Sequence, residues 1–126
     1  MGSPLIAVID DDEMLCSSLV DLMRSTGYRA EPFASAETFL ALSDLVPFAC
    51  VIADVHLPGM SGLELARKLH ERGGAPPVIL ITGLSDKRLD DEAISVGARC
   101  LLRKPLQTKA LLDCVERSLP DDRPPR

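Results

Sequence analysis

Short apolar runs alternating with segments of helical period limit what this chain can fold into. Leu5–Ile9, Phe48–Ala53, Pro77–Ile81 and Cys100–Arg103 are nearly continuous in apolar side chains. A strand wetted on one face alternates apolar with polar residues, whereas a continuous run is what a strand buried on both faces requires. Arg29–Phe33 reads as a further short strand of edge character.

Between these runs the period changes from continuous to helical. Leu15, Leu19, Leu22 and Met23 fall on one helical face, which Gly27 closes as a C-cap. Ser35 can cap a short helix to about Leu42. Ser61 and Glu64 have capping-box spacing, so a helix should start there, with Leu65, Ala66 and Leu69 inward and Gly73-Gly74 at its end. A helix from about Asp86 to Val96 is stopped by Gly97. The last, near Thr108 to Leu119, carries Leu111, Leu112, Val115 and Leu119 on its inner face. Strands and helices in strict alternation with short connections imply a parallel sheet covered by helices on both faces. For five such units the common arrangement is an α/β, flavodoxin-like doubly wound (βα)5 sandwich with strand order 2-1-3-4-5.

In open α/β sheets, ligands bind outside the C-terminal ends of the strands. The polar residues just past each apolar run are therefore the candidates. They are Asp10 and Asp11 after the first strand, Asp54 after the third, Thr82 and Gly83 after the fourth, and Lys104 and Pro105 after the fifth. With that order, three carboxylates, a hydroxyl and an ammonium meet in one shallow cleft. Close carboxylates repel one another unless a cation lies between them. A hard divalent ion with oxygen ligands suits them, and Mg2+ suits a site of few carboxylates completed by water and phosphate. No His or Cys side chain belongs to the set, which disfavours zinc. Beside such an ion the carboxylate of Asp54 could attack a phosphoryl group in line, with Lys104 and Thr82 holding its oxygens.

Composition narrows the partners. The chain has 126 residues and a formal net charge of -5, so direct nucleic-acid binding and docking on an anionic membrane are both disfavoured. No stretch has the length of a membrane span, and residues 5–9 are too short for a signal sequence. The four cysteines form no CxxC pair, and reduced thiols in a cytoplasmic protein are expected.

These residues bear a family likeness. Val8-Ile9-Asp10-Asp11-Asp12-Glu13, Asp54-Val55-His56-Leu57-Pro58-Gly59-Met60-Ser61-Gly62, Ile81-Thr82-Gly83 and Lys104-Pro105, in that order and spacing, resemble the receiver domain of bacterial two-component response regulators. The likeness runs from residue 4 to about 119. Ser35 to Leu40 and Gly62 to Leu65 look most like receivers of FixJ-type (FixJ/LuxR) regulators, whose output is a DNA-binding helix-turn-helix domain.

The resemblance implies a role for each residue. Asp54 would be the phosphoacceptor. Asp10 and Asp11 would be the acidic pair at the Mg2+ site, joined by Asp54 and by the backbone carbonyl of His56. Thr82 would be the switch hydroxyl, Lys104 the phosphate-binding lysine, and Pro105 would follow a cis peptide bond. The implied partners are a sensor histidine kinase, a second copy through the fourth helix, fifth strand and fifth helix, and a C-terminal DNA-binding domain outside this chain. Residues 1–119 would form the receiver domain, and 120–126 a tail or the start of a linker. One position departs from the family: Leu101 stands where receivers commonly carry Tyr or Phe. That puts the usual coupling between hydroxyl and ring in doubt.

The plainer readings weigh less. Asp12 and Glu13 are expected to serve the first helix's N-terminus. Arg99 and Arg103 are expected to be solvated. A Mg2+-dependent phosphohydrolase of the haloacid dehalogenase type would place a second Asp where this chain has His56. A degenerate receiver would have lost an acid, the Thr or the Lys, and all are present.

Overall fold

The computed structural model describes residues 3–42, 45 and 47–119. The expected tail, 120–126, lies outside the described residues. Five strands, β1 (Leu5–Ile9), β2 (Arg29–Phe33), β3 (Phe48–Asp54), β4 (Val78–Thr82) and β5 (Cys100–Arg103), form one parallel sheet in the order β2-β1-β3-β4-β5. Five helices alternate with them: α1 (Glu13–Ser25), α2 (Ala36–Leu40), α3 (Gly62–Arg72), α4 (Arg88–Ser95) and α5 (Thr108–Ser118). The doubly wound arrangement read from the alternating periods is the one observed.

The sheet divides the core in two because successive side chains of a strand point to opposite faces. Ala7, Ile9, Val51, Ala53, Val78 and Leu80 pack with α2, α3 and α4. Ile6, Val8, Cys50, Ile52, Ile79 and Ile81 pack with α1 and α5. With few rings available, one face is reinforced by an aromatic trio, in which Phe33, Phe39 and Phe48 meet edge to face at centroid separations of 5.2–5.9 Å.

Local chemistry explains where the helices begin. Asp12 caps α1 by accepting hydrogen bonds from the amides of Met14 and Leu15. Ser35 accepts from Thr38 N, and Ser61 accepts from Glu64 N at 3.1 Å. Each cap satisfies a donor that the helix cannot bond internally.

Three expectations are corrected. The buried stripe of α1 is Cys16, Leu19, Val20 and Met23, with Leu15 and Leu22 only half-buried at its margins. That of α5 is Leu111, Cys114, Val115 and Ser118, again with Leu112 and Leu119 half-buried. Small residues at the right angle displaced larger apolar ones beside them, and Ser118 is tolerated because its hydroxyl donates to the carbonyl of Cys114 at 2.7 Å.

The third correction concerns the thiols. Cys100 on β5 and Cys114 on α5 form a disulfide, with Cα atoms 6.7 Å apart. The pairing is invisible in spacing alone, because it requires knowing which faces of β5 and α5 meet. Cys16 and Cys50 are free and buried, and burial pushes the Cys50 thiol up to about 12.

Candidate functional site

Each strand end delivers its residue to one side of the sheet. Asp10 follows β1 and is seated there by its amide, which donates to the carbonyl of Phe33 at 3.0 Å. Asp54 is the last residue of β3, and Val55 N continues the ladder to Ile81 O at 2.8 Å. Thr82 ends β4 and is fully buried. Lys104 follows β5, and its amide donates to Thr82 O at 2.8 Å. The Lys104–Pro105 peptide bond is cis, as the resemblance implied.

The carboxylate of Asp54 is only 6% exposed and is held at both oxygens. Oδ1 accepts from the amide of His56 at 2.8 Å. Oδ2 lies 2.7 Å from Nζ of Lys104, which is about one-third exposed. Burial alone would lower the lysine's pKa. The hydrogen bond Lys104 donates to Asp54, then the charges of Asp54, Asp10 and Asp12, outweigh it and raise the pKa above its ordinary 10.5. Lys104 is therefore a fixed cation across neutral pH.

Asp10 is the second buried acid. Its Oδ1 accepts from Asp12 N at 2.9 Å. Its Oδ2 is buried with no hydrogen-bond partner, the one such side-chain atom among the described residues. Burial pushes its carboxyl above the ordinary 3.8, and the charges of Asp54 and Asp11 push the same way against the Asp12 amide and Lys104. A buried carboxylate oxygen left bare costs free energy. Something cationic is the natural complement.

Among the described residues, no group of three or more His, Cys, Asp or Glu side chains lies close enough to chelate a metal ion unaided. Mg2+ keeps several waters and needs only one or two carboxylates. Asp10, with its orphaned oxygen, and Asp54 could supply these. Asp11 is exposed beside them, and His56 is exposed in the loop after β3. The residues present therefore fit Mg2+ as a partly hydrated guest.

The loop between β3 and α3 is shaped to bring Asp54 to this edge. Gly62 N donates to Val55 O at 3.1 Å, and a side chain at Gly62 would collide with the carbonyl of Asp54. Gly59 turns the loop with φ +75°, next to Met60, whose amide donates to Glu37 of α2 at 3.2 Å. Spacing showed the Pro58-Gly59 turn, but it could not show that Glu37 ties it down or that Gly62 abuts Asp54.

Thr82 does not join the carboxylates directly. Its Oγ1 accepts from the amide of Leu84 at 3.1 Å. Leu101 is half-buried against the α2–α4 side of the core. Arg103, expected to be solvated, is instead bonded to the loop after β4 and to Asp90 of α4.

Comparison with known proteins decides the family. A model described as the response regulator receiver domain matches residues 6–116. This chain belongs to the response regulator receiver domain family. It is 39% identical over 114 residues to the transcriptional regulatory protein FixJ of Azorhizobium caulinodans, covering 90% of this chain and 54% of that protein. It is 37% identical to the response regulator protein TmoT of Ectopseudomonas mendocina, covering 91% of this chain and 52% of that one. The receiver thus spans about half the length of these relatives. Among solved structures, that of FixJ-N superposes with a TM-score of 0.83 at 30% identity, covering 94% of each chain. The response regulator StyR gives 0.85 at 36% identity, covering 94% of this chain and 60% of that one.

Proposed function

We propose that this receiver takes up a phosphoryl group on Asp54 from a phosphohistidine of a sensor histidine kinase, in a Mg2+-dependent reaction, and changes conformation to control an output. The observation that carries this reading is the buried Asp54 carboxylate, 2.7 Å from Lys104 and facing a second buried acid with a bare oxygen. Such a site holds fixed positive charge at Lys104, and a place for a cation beside the carboxylates, where a dianionic phosphoryl group would be bound.

In the transfer, an oxygen of Asp54 attacks phosphorus as the bond to the donor nitrogen breaks, and the electron pair stays on that nitrogen. The product is an acyl phosphate. His56 N holds Oδ1 of Asp54, which leaves the other oxygen at the Lys104 side. Lys104 neutralises a phosphoryl oxygen, and Thr82 donates its hydroxyl to another. Asp10, Asp11, Asp54 and the carbonyl of His56 would hold Mg2+, which when bound offsets the charge of the phosphoryl oxygens. The domain catalyses only its own phosphorylation and dephosphorylation.

The relatives named as transcriptional regulators support a transcriptional output through a further domain, reached after a receiver of residues 1–119 by a linker that 120–126 would begin. No helix among the described residues is long and apolar enough to cross a membrane. A cytoplasmic site of action goes with the proposed histidine kinase phosphodonor, and the Cys100–Cys114 disulfide lends it no support. The face formed by α4, β5 and α5, where Ile94 is 76% exposed, is the surface offered for a second copy or an output domain.

The experiment is incubation with Mg2+ and acetyl phosphate, followed by intact mass. One phosphoryl group per chain, abolished by EDTA, is expected. A wild-type protein that stays unmodified under conditions that label another receiver overturns the reading.

A further inference from the structure

Arg103 occupies a position with mechanical leverage. It is the register partner of Thr82 across β4 and β5, so the two side chains leave the sheet on the same face. Leu101 precedes it on that face by one pleat. From there the guanidinium reaches three groups. Nε donates to Leu84 O at 3.0 Å, Nη2 donates to Asp86 O at 3.1 Å, and Nη1 and Nη2 grip the two carboxylate oxygens of Asp90, each at 3.2 Å. Asp86 uses its own carboxylate elsewhere, on Arg88.

The contacts close a circuit. Leu84 donates its amide to Thr82 Oγ1 and lends its carbonyl to Arg103. Arg103 is tied in turn to the first turn of α4 through Asp90. The loop that fixes the Thr82 hydroxyl is thus clamped by one side chain to β5 on one side and α4 on the other. A planar guanidinium with five donors makes all four of these bonds at once, the two to the Asp90 carboxylate included, whereas an ammonium has only three donors.

We propose that Arg103 is the positioning residue that couples Thr82 to α4 in this receiver, in the place where Leu101 offers no ring to do so. The inference rests on the phosphoacceptor reading of Asp54. The clamp holds the loop in the arrangement in which Thr82 Oγ1 serves Leu84. Engagement of Thr82 with a phosphoryl oxygen draws on Leu84 and loosens Arg103 from the loop and from Asp90, freeing the start of α4. Phosphoryl transfer that proceeds through the engaged arrangement goes faster when release of the clamp lowers the cost of reaching it.

The test compares wild type with Arg103→Ala, Arg103→Lys, Asp90→Asn and the double variant Arg103→Ala/Asp90→Asn. The first readout is the rate of adduct formation on Asp54 at subsaturating acetyl phosphate with Mg2+. Arg103→Ala should label about fivefold faster, the low end of usual coupling between sites. Asp90→Asn should accelerate in the same direction, the double variant should be no faster than Arg103→Ala, and Arg103→Lys should fall between wild type and Arg103→Ala. A side chain that merely supported the fold would slow labelling when removed. The second readout is amide exchange of residues 83–87 without phosphodonor, which should speed up in Arg103→Ala.

A folded Arg103→Ala that labels no faster than wild type overturns the clamp, as does strict additivity with Asp90→Asn. If Arg103→Ala fails to fold, the Asp90→Asn rate decides alone. If wild type takes no phosphoryl group, the reading of Asp54 falls, and the exchange of residues 83–87 still decides whether the loop is clamped.

Discussion

Nζ of Lys104 and Oδ2 of Asp54 lie 2.7 Å apart although fifty positions separate them in the chain. The ends of the parallel strands β3 and β5 bring them together. Replacing Lys104 with Ala leaves a buried carboxylate without its cation and a phosphoryl oxygen without its partner. Adduct formation from acetyl phosphate should slow by about tenfold or more, since charge-assisted contacts to a transferring group are among the strong ones. Initial rates by intact mass check this, and an unchanged rate would remove Lys104 from the mechanism.

Asp10 is a buried carboxylate with one oxygen left without a partner. Its pKa is raised in the fold, chiefly by burial. Below the ordinary value of 3.8 it is protonated in both states and contributes nothing. As pH rises from 3.8 towards the raised folded value, the unfolded chain has lost the proton that the folded chain keeps, so folding is increasingly penalised, and the penalty is complete once pH exceeds the folded value. Asp10→Asn should therefore raise Tm in metal-free buffer at pH 7 and have little effect near pH 3. On the proposed role of Asp10 at the metal site, Mg2+ should raise the Tm of wild type and leave that of Asp10→Asn unchanged. Thermal melts at two pH values, with and without Mg2+, check both signs.

Much of this architecture was legible in the chain. The continuous apolar runs fixed the strands to within a residue, and the polar residues after them mark the site edge because parallel strands all end there. Less legible was what depends on which side chain faces which. Leu15, Leu22, Leu112 and Leu119 are apolar enough to look buried, yet Cys16, Val20, Cys114 and Ser118 hold the inner angle of their helices. Arg103 looked solvated because its partner Asp90 lies on another element, thirteen positions away. Gly62 stands in the stretch that carries the family likeness, but the reason for a glycine there is set by the carbonyl of Asp54, which spacing does not show.

Gly62→Ala tests that close approach. The added methyl would press on the Asp54 carbonyl, so the loop or the head of α3 must shift. A loss of about 1–3 kcal/mol is expected, together with slower phosphorylation because the Asp54 backbone moves. Denaturant unfolding and labelling rates measured on one preparation check it. A variant as stable and as fast as wild type would show that the loop yields freely.

The thiols have a distinct signature. Of four cysteines, two are joined and two are free but buried. Iodoacetamide should label none in the native protein, two after denaturation, and four after denaturation with reductant. Reduction should also lower stability by about 3 kcal/mol, the expectation for a loop of some fifteen residues, or on the order of 10 °C in Tm. Labelling of four thiols without reductant would contradict the Cys100–Cys114 bond.

The central claim is that the Asp54 carboxylate itself carries the phosphoryl group. Protein treated with acetyl phosphate and Mg2+ can be reduced with borohydride, which converts an acyl phosphate to the alcohol, and then digested and sequenced by mass spectrometry. Homoserine at position 54, and its absence from Asp54→Asn and from protein treated with EDTA, is the predicted result. Homoserine at another acidic position, or unmodified Asp54 in protein whose intact mass shows the adduct, would contradict it.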